Sequence, residues 1–371
     1  MTKSIVNKLA RQELLDMVPY QSARRLQKAA GGTQAFNQKI WLNANEASGI
    51  GEYQLSADCI NRYPDFQPDE LINNYTEYAK LDTSQVLATR GADEGIELII
   101  RTFCKAYQDS ILICPPTYGM YAISAENHGA GVVKVPLVDN QLNVEDIIQA
   151  KNDDSNNIKA IFLCSPGNPT GNCLPAEQIK AVLDACSQST MVVVDEAYIE
   201  FCPETSVSTW LSDYPNLIIL RTLSKAFALA GLRCGFTLAS REVITMLSKV
   251  IAPYPISAPV AEIASQALRP ANLTNMQQRV SNINKQKQQV IAWLAQQPWC
   301  EQVFASDANF VLFKTEQKDL IFQGLAKQGI LIRDQSKQQQ LDNCLRISIG
   351  TEQELAIVKQ AINELMTSQS K

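Results

Sequence analysis

The chain has 371 residues, 46% of them hydrophobic and 19% charged, which suits a large packed core and not a disordered chain. Its 33 basic and 38 acidic side chains leave a net charge of −5, so a general nucleic-acid binder is not expected. One histidine, His128, against ten cysteines excludes a two-histidine metal site and leaves a histidine-based triad a single candidate.

Taken in chain order, Met1–Asp16 mixes charged and apolar residues and has no continuous apolar run, so no signal peptide is expected. No stretch approaches the ~18 apolar residues of a membrane span. Gly91-Ala92-Asp93 opens a helical pattern with Ile96, Ile99, Ile100 and Phe103 on one face. Short apolar runs at Ser110–Cys114, Gly131–Val135, Ala160–Cys164, Met191–Val194 and Leu217–Leu220 suit buried parallel strands. Between them, Asn143 can cap a helix with Glu145 and Asp146 in its first turn. Pro175–Cys186 repeats apolar residues at helical spacing. Alternating β and α predicts a three-layer α/β domain with a mostly parallel central sheet.

One connection is too short for that pattern. Roughly ten residues separate Leu220 from the next candidate strand, Leu232–Leu238, and a parallel crossover needs a dozen or more. That pair is expected to be antiparallel. From about 259 to 297 the pattern is helical, and Phe310–Phe313, Ile330–Arg333 and Leu345–Ile349 read as short strands. A final helix opens on Thr351 and Glu354, a capping box. These segments predict a smaller α+β domain over 259–371, with linking helices. Residues 51–258 form the large domain, and residues 1–50 an arm or part of the small one.

The cysteines have no Cys-x-x-Cys spacing and several sit in apolar runs. They are expected as reduced core residues of a cytoplasmic protein. His128 lies in the loop-like Glu-Asn-His-Gly and is assigned no catalytic role.

The chemistry concentrates at strand ends. Met191–Val194 runs into Asp195-Glu196-Ala-Tyr198, which puts Asp195 at a strand's carboxyl end, where open α/β sheets bind ligands. A Walker B reading fails because no glycine is followed by lysine. Upstream, Ser165-Pro-Gly-Asn168-Pro-Thr-Gly171 is a turn that projects an amide. Downstream, Arg221-Thr222-Leu-Ser224-Lys225 follows another strand, and Arg233 comes eight residues after Lys225. An acyl-serine reading of Thr-x-x-Lys lacks its Ser-Asp-Asn and Lys-Thr-Gly partners. On Leu345–Ile349, period two puts Arg346 on the face opposite Leu345, Ile347 and Ile349.

Asn168, Asp195, Tyr198, Lys225 and Arg233, spaced by 27, 3, 27 and 8 residues, resemble the fold type I pyridoxal-phosphate aminotransferases. Arg90-Gly-Ala-Asp93-Glu-Gly95, Cys114-Pro-Pro-Thr-Tyr118-Gly-Met-Tyr121, Asn61-Arg-Tyr63-Pro64, Leu345-Arg346-Ile-Ser-Ile-Gly350 and Pro19-Tyr20-Gln-Ser-Ala-Arg24-Arg25 resemble the histidinol-phosphate aminotransferase family in particular. One departure is Gly167, where many members carry Asn.

The resemblance implies pyridoxal 5'-phosphate as cofactor and a ping-pong transfer between L-histidinol phosphate and 2-oxoglutarate in histidine biosynthesis. It implies Lys225 as the Schiff-base lysine and proton carrier and Asp195 as partner of the pyridine nitrogen. Tyr198 and Asn168 would bind the phenolic oxygen, and Tyr118, alternatively a core aromatic, the ring face. The helix start at Ala92 and Asp93, with Thr222, Ser224 and Arg233, would hold the phosphate. Asp93 is alternatively a plain N-cap. Tyr63 would reach the phosphate from a second subunit, which implies a homodimer with shared sites. Arg346 would clamp the substrate anion, with Arg333, Tyr20 and Asn45 as further substrate contacts. Arg333 alternatively pairs with a carboxylate, because Asp334 follows it. Arg24 and Arg25 read as surface or arm contacts. No metal, nucleic acid or membrane partner is implied. An aromatic aminotransferase or a threonine-phosphate decarboxylase on the same scaffold remains open. So does a non-catalytic pyridoxal-binding regulatory domain.

Overall fold

The computed structural model describes residues 39–49, 51–56 and 60–369, together with Ile5, Arg11 and Leu14; Tyr20, Arg24 and Arg25 lie outside the described residues. After β1 (Ile40–Trp41) comes a seven-stranded sheet of β2 (Val86–Thr89), β3 (Ser110–Ile113), β4 (Gly131–Lys134), β5 (Ile158–Cys164), β6 (Met191–Asp195), β7 (Leu217–Thr222) and β8 (Gly235–Ala239). Its spatial order is β2-β8-β7-β6-β5-β3-β4. Neighbours from β7 through β4 are parallel. β8 pairs antiparallel with both β7 and β2, as expected, although the strand starts later than expected and residues 223–234 between β7 and β8 would be enough for a parallel crossover.

Strand alternation makes two cores out of this one sheet. Leu217 and Ile219 of β7 join Val192 and Val194 of β6 in one cluster; Ile218, Leu220 and Val193 join the other. Helices Ala92–Phe103, Met120–His128 and Arg241–Ser248 cover the second face through Ile96, Ile99, Tyr121, Ala125, Val243 and Leu247. Helices Asp69–Ala79, Ala176–Cys186 and Pro270–Ala295 cover the first through Leu71, Tyr75, Val182, Leu183, Ile283 and Val290. Two covered faces make three layers, and the central strands, buried on both sides, explain most of the uninterrupted apolar runs; β4, expected to be buried, is the edge strand and lies partly exposed. No helix among the described residues is long and apolar enough to cross a membrane.

The C-terminal part is α+β. β9 (Gln302–Val303), β10 (Phe310–Lys314), β12 (Arg333–Asp334) and β13 (Cys344–Ser348) form an antiparallel sheet in the order β12-β13-β10-β9. The last helix, Glu352–Gln369, has the expected capping box. Thr351 N–H donates to the Glu354 carboxylate at 2.7 Å, and Glu354 N–H donates to Thr351 Oγ1 at 3.2 Å. The Asn143 cap is likewise in place, accepting from Asp146 N–H at 3.3 Å.

Three local readings change. The expected strand Ile330–Arg333 divides in two. β11 (Ile330–Leu331) pairs parallel with β1, while β12 pairs with β13. Apolar pattern alone does not reveal a change of partner. The strand expected at Leu232 begins at Gly235, because Ala230–Leu232 form a 3-10 turn and Arg233 adopts a left-handed φ of 56°. β2 was not among the expected strands, since four residues are too few to show a period.

The antiparallel direction of β8 has a consequence for the site. Its first residue, Gly235, pairs with Thr222 at the end of β7 and Thr89 at the end of β2. A Cβ on Gly235 would lie 2.7 Å from Arg221 O and Gly91 C and 2.8 Å from Ala92 N, all backbone. Gly235→Ala is therefore expected to lower unfolding free energy by about 1–3 kcal/mol. Urea denaturation checks this, and an unchanged midpoint would show that the backbones can part freely.

Candidate active site

The carboxyl ends of β2, β3, β5, β6 and β7 and the start of β8 meet at one edge of the sheet. They open into a cavity of about 690 Å³ closed from above by the segment Asn43–Glu46, Arg333 and Arg346. That volume suits a small organic molecule. Segment 42–46 is threaded there by backbone bonds. Leu42 N–H donates to Leu331 O at 2.8 Å, and Ser348 N–H donates to Leu42 O at 2.9 Å.

Asp195 ends β6 and is 3% exposed. Tyr121 O–H donates to its Oδ2 at 2.6 Å and Ala197 N–H to its Oδ1 at 3.0 Å. Burial nonetheless pushes its pKa up to about 6 against these hydrogen bonds. A buried carboxylate with this bias favours a cationic or proton-bearing partner in the cavity.

The adjacent acid does something different. Glu196 points away from the cavity, since successive strand residues alternate faces. It forms a buried ion pair with Arg221 at 2.8 Å. It also accepts from Val207 N–H at 2.7 Å and Ser206 O–H at 3.1 Å. Arg221 in turn precedes Thr222, so the pair joins the ends of β6 and β7 directly behind the site.

Lys225 follows β7 in a loop. Its amine donates to Ala44 O at 3.1 Å. Burial first, and the Arg346 charge second, pull its pKa down to about 8. Tyr198 O–H accepts from the side-chain amides of Asn45 at 2.9 Å and Asn168 at 3.2 Å. Burial pushes that phenol's pKa up. Asn168 Oδ1 accepts from Arg346, which also donates to Asn43 O at 3.1 Å. Asn168 thus links the β5 turn to the small sheet.

At the other end of the cavity, helix Ala92–Phe103 starts with its N–H groups toward Arg233 and the β7 loop. Gly91 is the N-cap, at φ 79°, with no side-chain cap bond. Asp93 is therefore not the N-cap. Its carboxylate accepts from Tyr118 O–H at 3.0 Å and pairs with Arg233 at 3.2 Å. Arg233 also donates to Ser224 Oγ at 3.3 Å, and Thr222 O–H donates to Ser224 Oγ at 2.9 Å. Arg233 and Asn45 both hold left-handed backbone, at φ 56° and 54°, a conformation that costs about 1–2 kcal/mol for a residue with a Cβ.

On the small sheet, Arg333 of β12 lies directly across from Arg346 of β13 in the strand register, and both line the cavity. Like charges in that position repel, so the pair favours an anion between them. Asp334 pairs with Lys318 at 3.3 Å instead.

The structure thus gathers Asn45, Ala92, Asp93, Tyr118, Asn168, Asp195, Tyr198, Thr222, Ser224, Lys225, Arg233, Arg333 and Arg346 around one cavity. Tyr63 is elsewhere, 81% exposed and stacked on Tyr254 at 4.4 Å. His128 ends helix Met120–His128 and bonds Cys104 O, away from the cavity. Three features escaped the sequence reading. Tyr121 is fully buried and grips Asp195; its spacing of three from Tyr118 was the available signal. Glu46, and Gln335 with Gln338 from the Gln-rich loop, also line the cavity.

A profile of the class I and II aminotransferases matches residues 33–362, and the chain belongs to that family. The histidinol-phosphate aminotransferase of Colwellia psychrerythraea is 59% identical over 97% of this chain and all of its own length. That likeness puts the chain among the histidinol-phosphate aminotransferases. The crystal structure of the Clostridium acetobutylicum histidinol-phosphate aminotransferase superposes with a TM-score of 0.77 at 28% identity, over 84% of this chain and 92% of that one. The Sinorhizobium meliloti histidinol-phosphate aminotransferase, solved in complex with pyridoxal-5'-phosphate, shares the fold with a TM-score of 0.82 at 23% identity, over 97% and 98% of the two chains.

The Asp195 environment sets a pH dependence. In protein freed of small molecules, its folded pKa of about 6 lies above the unfolded value of about 3.9. The native state then binds more protons, so Asp195 costs stability as pH rises between those values, on the order of 3 kcal/mol in all. Asp195→Asn should remove that loss. Tyr121→Phe should extend it to higher pH, because the hydrogen bond that favours the anion is gone. Urea melts from pH 4 to 7 measure both, and parallel wild-type and Asp195→Asn profiles would contradict the assignment.

Proposed function

We propose that the chain transfers the amino group between L-histidinol phosphate and 2-oxoglutarate, in histidine biosynthesis in the cytoplasm, with pyridoxal 5'-phosphate in the cavity. The observation that carries this reading is that Lys225, an amine whose pKa is lowered, and Asp195, a buried carboxylate, line one cavity together with three arginines. The donor set fits the cofactor. A helix N-terminus, two hydroxyls and an arginine suit a phosphate at one end, and a buried carboxylate suits a protonated pyridine nitrogen at the other. Bound there, pyridoxal phosphate supplies an electron sink for charge at the substrate Cα and carries the amino group between the two half-reactions.

The chain's own residues do the rest. Lys225, with its pKa near 8, has a neutral fraction at pH 7 that can attach covalently to the cofactor and then hold or return the proton at the substrate Cα. Asp195 would stay anionic beside a protonated pyridine nitrogen, whose charge would offset the burial that raises its pKa. Tyr198 and Asn168 would hold the phenolic oxygen, and Tyr118 the ring face. Ala92 and Asp93 through their N–H groups, with Thr222, Ser224 and Arg233, would hold the phosphate. Arg346, with Arg333 and Asn45, would bind the glutamate carboxylate or the phosphate of histidinol phosphate. Arginine's fork suits both anions, which is how one site can serve two substrates. Tyr20 is assigned to the substrate by resemblance alone.

Borohydride reduction of the cofactor-loaded protein followed by peptide mapping should tag Lys225. Assays with 2-oxoglutarate should give the highest kcat/KM on histidinol phosphate, above phenylalanine and threonine phosphate. A tag elsewhere, or no turnover of histidinol phosphate, defeats the reading.

The exposure of Tyr63 supports a homodimer in which this side chain serves the second subunit's phosphate. Mixed Tyr63→Ala and Lys225→Ala chains should then recover activity above either variant alone, because one site of each hybrid is intact. Hybrids that form without recovery would count against Tyr63 acting across the two subunits.

A further inference from the structure

Two thiols behind the cavity touch each other. Cys173 Sγ and Cys202 Sγ are 3.4 Å apart, and Thr205 Oγ1 lies within 3.5 Å of both. Among the described cysteines this is the pair whose sulfurs are in contact. Cys202 is 5% exposed, whereas Cys173 is only half-buried. A disulfide needs a sulfur separation near 2.05 Å, so closing the pair takes about 1.4 Å of approach. Small side-chain rotations and a slight backbone shift can supply that.

Their position in the fold matters as much as their distance. Cys173 follows the turn that presents Asn168, a turn closed by Gly167 N–H to Asn172 O at 2.8 Å and Gly171 N–H to Gly167 O at 2.9 Å. Its own N–H is anchored on Asp307 at 2.9 Å. Cys202 follows the 3-10 turn Ile199–Phe201, which begins at Tyr198. The two sulfurs therefore bridge, from behind, the same two segments that the Asn168–Tyr198 hydrogen bond bridges inside the cavity.

We propose that Cys173 and Cys202 form a reversible disulfide when the protein meets a peroxide, and that this bond reports oxidation to the adjacent site by tying the Asn168 turn to the Tyr198 segment. Cys173, the accessible sulfur, attacks the peroxide as thiolate. The O–O bond breaks, Cys173 becomes a sulfenic acid, and one water leaves with the thiol proton. The Cys202 sulfur then attacks Cys173, the S–S bond forms and the sulfenic oxygen leaves as a second water with the Cys202 proton. Two thiols are oxidised and one peroxide is reduced. A dithiol reductant reverses the bond by exchange.

The neighbouring Cys173 sulfur and burial push the Cys202 thiol's pKa up, so Cys202 keeps its proton until it attacks, and Cys173, the more accessible sulfur, is the one that meets the peroxide. Lys287, fixed on Ala308 O at 2.9 Å, lies near both sulfurs and near Asp307, so opposite charges flank the pair.

The test uses the intact chain. After dilute hydrogen peroxide at neutral pH and alkylation of remaining thiols, mass spectrometry should find a Cys173–Cys202 linked peptide, two hydrogens lighter than its halves, that dithiothreitol removes. Cys202→Ser should stop at a dimedone-reactive sulfenic acid on Cys173. Turnover should fall on oxidation and return with dithiothreitol, and Cys173→Ala, with an unchanged melting temperature, should keep its turnover. Both thiols remaining alkylatable, or Cys173 going on to sulfinic acid without a link, overturns the proposal. A linked peptide with unaltered turnover overturns its connection to the site. The turnover arm rests on the proposed transaminase activity. Loss of that reading would show as an inactive reduced protein, while the linked peptide would still be judged by itself.

Discussion

The buried ion pair between Arg221 and Glu196 is the constraint on which the site's geometry depends. Each member is one residue from a cavity residue, Thr222 or Asp195, and the pleat sends it to the opposite side. The pair therefore clamps the ends of β6 and β7 together without entering the cavity. Buried charges are tolerable only when their hydrogen bonds are satisfied. Glu196 meets that condition with Arg221, Ser206 O–H and Val207 N–H. Two adjacent acids thus divide the work, one holding strands and one facing the cavity.

A second constraint is direction. With β8 antiparallel, the loop before it returns to the edge where the parallel strands end. Arg233 and Lys225 come from the same excursion between β7 and β8, and both line the cavity. Gly235 lets Gly91 and Ala92 approach closely, so a helix N-terminus joins the same edge. At one end the helix start, Ser224 and Arg233 supply donors, with Asp93 offsetting the arginine's charge. Arg333 and Arg346 supply donors on the small-sheet side, with Asp195 as the buried negative group between them.

This arrangement explains how a chain of net charge −5 can serve anionic ligands. The surface sets the net charge, whereas the field inside a low-dielectric cavity is set by the few charges that line it. The same burial lowers the Lys225 pKa and raises that of Asp195, so each is shifted toward its neutral form. The histidine and cysteine counts fit this chemistry. Proton traffic through one amine needs no imidazole, and most of the cysteines are buried as core residues.

Much of this was legible in the residues alone. Apolar runs buried on both faces marked β3, β5, β6 and β7, and the acids, amide, lysine and arginines at their ends marked the cavity wall. The gap between Leu220 and the strand expected at Leu232 pointed to the antiparallel direction of β8, although the strand itself starts at Gly235. Other features were not legible. Tyr121 looks like any core aromatic until the fold sets its hydroxyl 2.6 Å from Asp195. The Ile330–Arg333 run reads as one strand although two sheets share it, and the contact of Cys173 with Cys202 joins residues 29 apart in the sequence. Sequence by itself determined the layers, the strand edge and the residue types of the site, because periodicity and turn chemistry act locally. Tertiary structure alone decided which arginines face each other, which hydroxyl holds Asp195 and which sulfurs touch. Those are contacts between distant segments, and close packing, not local pattern, sets them.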